Sequence, residues 1–201
     1  MQPTKVQTTK GERTRSRIVA KAAPVFNQQG YEGASLQDIM EATGLEKGGL
    51  YRHFSSKEEL AAECFRYAWG LAMERRSNDL KDVEGAIAKL KRVVERFATR
   101  PSVVPGGCAL MNTAVEADDG NPRLRRLALG ALRQWRGQLA GIVEEGISAG
   151  EIRKDVDPCR LANRMIATLE GALMISRLER NQAALEDVRL VLSQELNEIR
   201  A

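Results

Sequence analysis

Apolar residues recur at helical spacing along almost the whole chain. Ile18, Ala22, Val25 and Phe26 fall at i, i+4, i+7 and i+8, which predicts a helix over about residues 12–29, closed by Gly30 at C′. Ser35, with Asp38 three positions on, caps a second helix whose apolar side is Leu36, Ile39 and Met40. Gly44 suits a tight turn needing positive φ, and residues 46–53 form a third helix. Ser56 and Glu59 make an S-x-x-E capping box for a fourth, striped by Leu60, Cys64, Tyr67, Ala68 and Leu71. Val83, Ile87, Leu90, Val94 and Phe97 stripe a fifth, "RPSVVPGG" breaks the pattern, and Cys108 to Val115 resumes it. Asn121-Pro122 opens a long helix to about residue 148, carrying Leu124, Leu127, Ala131, Trp135, Leu139 and Ile142. Asp157-Pro158 opens another with Leu161, Met165, Leu169, Ala172 and Leu173, and Leu185, Val188, Leu192, Leu196 and Ile199 mark the last. No segment alternates at period two for long enough to be a strand. The expected architecture is all-α, with about nine helices.

Composition narrows the setting. The 201 residues are 43% hydrophobic and 29% charged, values of a globular chain able to bury a core in one or two domains. No apolar run reaches the ~18 residues of a membrane span. The polar, basic start "MQPTKVQTTKGERTRSR" has no apolar stretch of a signal peptide behind it, so the expected location is the cytoplasm. Cys64, Cys108 and Cys159 are an odd, widely spaced set without a CxxC pair, which fits a reducing compartment and argues against zinc. Charge is placed unevenly. Residues 1–57 hold 9 Lys+Arg against 5 Asp+Glu, and the remainder balances at 22 and 22, so the whole net charge of +4 lies in the first 57 residues. An anionic partner is expected at that end, and nucleic acid is the commonest.

The stretch "SLQDIMEATGLEKGGLYRHFSSKEEL", residues 35–60, joins these observations. Helix, glycine turn and helix, preceded by a longer supporting helix, is a helix-turn-helix, whose second helix lies in the DNA major groove. Gly48 and Gly49 weaken a helix by about 1 kcal/mol each relative to Ala, yet they leave a slim front that can approach base edges closely. Lys47 and Arg52 are the long donors for base edges or nearby phosphates. Tyr51, His53 and Lys57 are placed to bond phosphate oxygens, and Ser35 and Thr43 could add further phosphate contacts near a positive helix end.

The same residues resemble the DNA-binding segment of the TetR/AcrR family of transcriptional regulators. The likeness runs from about Arg13 to Leu71, and its G-x-x-x-G-x-[LIV]-Y-x-[HY]-F motif reads here from Gly44 to Phe54. The resemblance implies an all-α homodimer acting on a double-stranded DNA operator. Residues 1–56 would be the tail and DNA-binding domain, and residues 57–201 would bind a small-molecule effector and dimerise. It also implies DNA contacts at Lys47, Gly48, Gly49, Tyr51, His53 and Lys57. The family's last two long helices usually form the dimer bundle, which makes Leu161, Ala172, Ile175, Leu185, Val188, Leu192 and Leu196 the candidate interface. Candidates for the ligand pocket are Cys108, Met111, Asn112, Val115, Trp135, Met165, Leu169 and Leu173, with Glu116 and Arg133 as further polar anchors.

Other chemistry finds little support. His53 is the one histidine, and a single imidazole cannot supply the usual ligands of a metal site. No Ser or Cys nucleophile frames it, so catalysis is not expected, nor is a cofactor or a metal. Met111, Met165, Met174 and Trp135 suit a core as well as a cavity wall. Glu116, Asp118 and Asp119 read as a polar turn before Asn121-Pro122. Cys108 follows Pro105-Gly106-Gly107 at a helix start, where the dipole lowers a thiol pKa. "GGCALMNTAVE" resembles the opening of a ligand-domain helix in a TetR subgroup, some of whose members sense electrophiles or oxidants there. Three readings therefore stand: a ligand-responsive repressor, a redox-sensing regulator through Cys108, and a ligand-free architectural DNA-binding protein.

Overall fold

The computed structural model describes residues 9–201, so the first eight residues of the basic tail lie outside the described part. Among the described residues nine α-helices follow one another: α1 (Lys10–Gly33), α2 (Leu36–Thr43), α3 (Lys47–Tyr51), α4 (Lys57–Ser77), α5 (Ala86–Thr99), α6 (Ala109–Ala117), α7 (Pro122–Ser148), α8 (Pro158–Glu179) and α9 (Ala183–Glu198). A short 3₁₀ turn, Leu80–Asp82, precedes α5. No strand forms among the described residues, where the one β element is an isolated bridge between Ile152 and Arg200.

Local chemistry sets most boundaries. Thr9 and Glu12 bond each other's backbone N–H groups and start α1, and Ser35 and Asp38 do the same for α2. Gly30 interrupts α1 with φ 78°, so the helix proper ends there and a further turn follows. Gly44 closes α2 in the left-handed region at φ 70°. Asn121 Oδ1 accepts from the N–H groups of Arg123 and Leu124 at 3.0 and 2.9 Å, and Asp157 accepts from that of Arg160 at 3.0 Å. The S-x-x-E box of α4 forms only half as expected. Ser56 Oγ accepts the Glu59 N–H at 3.1 Å, but the Glu59 carboxylate turns to Ser55, accepting from its N–H and hydroxyl at 2.7 Å each. The helix α5 has no side-chain cap of its own; distant Glu151 accepts from the N–H groups of Ala86 and Ile87 instead.

The chain divides into two compact units. One comprises residues up to 68 and 104–127, and the other residues 69–103 and 128–201. In the first, α1 packs on α2 and α6, and α2 packs on α3. Its core includes Ile18, Val19 and Ala22 of α1, Ile39, Leu50 and Phe54 of the helix-turn-helix, and Leu60, Cys64 and Phe65 of α4. A small group of Ala61, Ala62, Ala117 and Leu124, flanked by Phe26, Tyr31 and Leu127, completes it.

In the second unit α5, α8 and α9 pack together. The stripe Leu161, Met165, Leu169 and Ala172 of α8 and the stripe Leu185, Leu192 and Leu196 of α9 are buried within this core, alongside Ile87, Leu90 and Val94 of α5. This corrects the expected dimer surface. Leu161, Ala172, Leu185, Leu192 and Leu196 face inward, because they form the stripe that meets neighbouring helices of the same protomer. Ile175 is at the surface, and Val188 is half-buried. The apolar residues turned outward are Met174, Ile175 and Leu178 on α8 and Leu190 and Val191 on α9; Leu178 is 77% exposed and Leu190 60%.

Gly146 of α7 has a packing reason, since a Cβ there would lie 2.6 Å from both Ala86 Cβ and Ile152 Cδ1. Trp135, wholly buried, stacks on Phe97 with centroids 5.8 Å apart and meets Trp69 edge-on at 6.3 Å. The Arg76 guanidinium lies 3.9 Å from the Trp135 ring centroid. Arg96, also buried, donates to the carbonyls of Arg75 and Asn78 and to Asp79, which neutralises it.

Candidate nucleic-acid interface

The helix-turn-helix is short and exposed on one side. Helix α3 has five residues, Lys47–Tyr51, and its N-cap Glu46 makes no side-chain bond. The expected span of 46–53 is shortened because the N–H groups of His53 and Phe54 both turn to the Leu50 carbonyl, at 2.9 and 3.1 Å, which tightens the chain into a turn. Leu50 and Phe54 bury their side chains and hold the element down from below. Above, Lys47, Gly48, Tyr51 and Arg52 are exposed, Tyr51 at 43%. A Cβ at Gly48 would meet nothing within 4 Å, so this front of α3 is open. At Gly49 it would touch Leu45 at 3.6 Å, an ordinary contact, so Gly49 belongs to the packed flank of the helix.

Other expected contacts are arranged differently. Thr43 is buried, and its hydroxyl donates to the Ile39 carbonyl at 2.7 Å. It is therefore a back-bonded residue of the last turn of α2, and this corrects its expected role at phosphate. Ser35 is exposed, but its hydroxyl is engaged with Asp38, accepting the Asp38 N–H at 3.1 Å and donating to the carboxylate. Those bonds hold the Asp38 carboxyl below its ordinary range. His53 is half-buried. Lys57 sits at the start of α4 with Nζ 4.7 Å from the Tyr31 ring centroid. Burial first, then the charges of Glu58 and Glu32, push the Tyr31 phenol above its ordinary pKa.

Two groups of residues escaped the sequence reading. Arg15 of α1 places its guanidinium 4.2 Å from the Phe54 ring centroid and 2.9 Å from Glu59 Oε1, and donates to the His53 carbonyl. The Ser55 bonds, joined by Arg15, hold the Glu59 carboxyl down at about 2. No local motif signals this contact, because its members lie 38 and 44 positions apart.

The second group links α6 to α1. Glu116 accepts the N–H groups of Tyr31 and Glu32 at 2.7 and 2.9 Å, just past the Gly30 kink. Asn112 Nδ2 donates to the carbonyls of Asn27 and Gly106, each at 2.9 Å, and Asn27 Nδ2 donates to those of Pro105 and Gly107 at 2.8 and 3.1 Å. Asn112 and Glu116 thus act as structural ties here.

The candidate pocket residues fall in both units. Cys108, Met111, Asn112 and Val115 lie in the first, and Trp135, Met165, Leu169 and Leu173 in the second. Val115 is 77% exposed on the outer side of α6, which corrects its placement as a pocket wall. Cys108 is buried as the N-cap residue of α6, as its position after Gly107 implied. Cys64 is buried too, its thiol donating toward the Val19 carbonyl at 3.6 Å, and burial pushes its pKa far up. A small cavity of about 30 Å³ opens among α1, α4, α6 and the start of α7, against Phe26, Tyr31, Cys64, Phe65 and Thr113. Of the expected ligand residues, the polar anchor Glu116 lines it and the others do not. Among the described residues no cluster of His, Cys, Asp or Glu could hold a metal ion, and no helix is long and apolar enough to cross a membrane.

Comparison with known proteins agrees with this geometry. Residues 18–64 match the model of bacterial regulatory proteins of the tetR family, and residues 86–192 match the tetracyclin repressor-like C-terminal domain. The HTH-type transcriptional repressor DhaR of Mycobacterium sp. (strain GP1) is 30% identical over 183 residues, covering 90% of this chain and 91% of that protein. The crystal structure of a TetR transcriptional regulator from Chloroflexus aurantiacus superposes with a TM-score of 0.90 at 42% identity, covering 95% of this chain and 98% of the other. A protein from Saccharomonospora viridis solved in complex with choline gives 0.77 at 25% identity, over 92% and 94% of the two chains. With both its helix-turn-helix and its C-terminal helices matched, the chain belongs to the TetR family of DNA-binding transcriptional regulators.

Proposed function

We propose that this regulator is a ligand-responsive repressor, a homodimer that holds a pseudo-palindromic operator and leaves it when a small molecule binds its C-terminal helices. The observation that carries the DNA-reading part is the open front of α3, where Gly48 clears the approach between exposed Lys47, Tyr51 and Arg52. Lys47 and Arg52 reach base edges or adjacent phosphates, Gly48 keeps the front of the helix slim, and Gly49 lets its flank pack against Leu45. Tyr51, His53 and Lys57 bond phosphates on the flanks, fixing register without reading sequence. Ser35, as the N-cap of α2, presents the positive end of that helix to the backbone.

Dimerisation supplies the second reading head. The apolar residues left exposed on α8 and α9, Met174, Ile175, Leu178, Leu190 and Val191, form the surface we assign to it. Burial against an identical copy would remove an apolar exposure that a lone protomer would leave in water. Two heads then enter successive major grooves about 34–36 Å apart. For the effector, the buried side chains Trp135, Met165, Leu169 and half-buried Leu173 offer an apolar wall in the second unit. Choline bound by the Saccharomonospora protein, which shares this fold, supports a small-molecule site here. Release requires the ligand to favour the non-binding state by about 5 kcal/mol for a nearly complete switch.

Selection from a random duplex library tests the reading. Wild-type protein should enrich a two-fold-related site with half-sites one helical turn apart, and an effector should raise the melting temperature of the free protein while eluting the DNA. Enrichment of nothing, or of single half-sites, would refute it.

A further inference from the structure

Helix α3 is poorly equipped to hold itself. Five residues make little more than one turn, two of them are glycine, and the N-cap side chain makes no bond. Such a segment is unstable in isolation, because nucleation is unfavourable and each glycine adds a cost. Something outside must fix its end, where Tyr51 and Arg52 emerge. Leu50 and Phe54 anchor it from the core side. From α1, the Arg15 guanidinium covers the Phe54 ring at 4.2 Å, donates through Nη1 to the His53 carbonyl, and donates through Nη2 to Glu59 Oε1 at 2.9 Å. Glu63 Oε1 lies 3.5 Å from the same nitrogen. One planar fork thus ties α1, the end of α3 and the first turns of α4. Lysine, with a single ammonium, cannot span the same points.

We propose that Arg15 is a positioning residue for DNA recognition, which sets the orientation of α3 by gripping the His53 carbonyl and Glu59 together rather than by touching DNA. Its charge is already matched by Glu59 and Glu63, and two of its nitrogens are directed into the protein. This inference rests on the DNA-reading role of α3.

The test uses the full chain, the duplex selected by the wild-type protein, and its scrambled counterpart. Arg15→Ala should lower affinity for the selected duplex by about tenfold to a hundredfold, the worth of a lost charge-assisted bond. Affinity for scrambled DNA and the slope of log K against log salt should be unchanged, since no phosphate contact is removed. Arg15→Lys should rescue only in part, and Glu59→Gln should act in the same direction, with the Arg15→Ala/Glu59→Gln double variant little worse than Arg15→Ala alone. Without DNA, amide exchange in peptides covering residues 47–56 should quicken about tenfold in Arg15→Ala, while that of α5 and α9 stays as in wild type. A salt slope reduced by about 1, with equal losses on both duplexes, would make Arg15 a phosphate contact and overturn the proposal. So would full rescue by lysine. Unchanged exchange in residues 47–56 would overturn it even if no duplex were selected, which separates its failure from that of the DNA-reading role.

Discussion

Replacing Gly30 with alanine adds one methyl group, and the structure expects it to be costly. Gly30 has φ 78° and ψ 176°, a region reserved almost entirely for glycine, where other residues bear about 1–3 kcal/mol of strain. The added Cβ would also lie 2.6 Å from Glu116 Oε1. That carboxylate would have to withdraw from the Tyr31 and Glu32 amides it now binds at 2.7 and 2.9 Å. Hydrogen bonds to charged groups contribute about 1.5–3 kcal/mol each, and because Glu116 is exposed we assign about 2 kcal/mol to the pair. The two effects together give about 3–5 kcal/mol. Glu116→Ala alone should cost about 2 kcal/mol. Once the carboxylate is gone, Gly30→Ala should cost only the backbone strain, so the double variant shows a coupling of about 2 kcal/mol. Urea unfolding followed by circular dichroism measures all four corners of the cycle. Protein concentration must be held fixed, because a dimer's stability depends on it. A cost below about 1 kcal/mol for Gly30→Ala, or strict additivity of the two changes, would refute the reasoning.

Three further outcomes are expected. Lys47→Ala and Tyr51→Phe should each weaken operator binding by about 1–2 kcal/mol while leaving the circular dichroism spectrum and melting temperature alone; a lost helical signal or unaltered affinity would count against their placement. Folding lowers the Glu59 carboxyl from 4.5 to about 2, so its contribution to stability is complete above pH ~5 and is lost as pH falls towards ~2. The stability gap between wild type and Glu59→Gln should close over that interval, and a gap independent of pH would contradict the bonds drawn from Ser55 and Arg15. Thiol labelling of the native protein should modify exposed Cys159 first and leave buried Cys64 and Cys108 slow, whereas fast labelling of Cys108 would favour the redox-sensing reading.

Features written locally were legible in the sequence. The caps at Ser35, Asn121 and Asp157 and the left-handed turn at Gly44 involve residues no more than a few positions apart, and each is present. Among the described residues, the order of nine helices followed from apolar spacing together with these caps and turns. What failed was the phase of α8 and α9. Both carry apolar residues on two sides, so Leu161, Leu185 and Leu192 could be read as surface, when the surface is Met174, Leu178, Leu190 and Val191. The ends of the helix-turn-helix misled in another way. A threonine hydroxyl can serve phosphate or its own helix, and only the burial of Thr43 decides between them. The ties made by Arg15 and Glu116 join residues 38 to 85 positions apart, and no periodicity marks such pairs.

Fluorescence anisotropy on a labelled duplex from the DNA upstream of the gene, at two salt concentrations and against a scrambled competitor, tests the central claim most directly. Binding should be tight, resist the competitor and weaken steeply with salt, because several phosphates are engaged. Binding that scrambled DNA matches at both salts would contradict an operator-reading regulator, and would leave a sequence-blind architectural protein in its place.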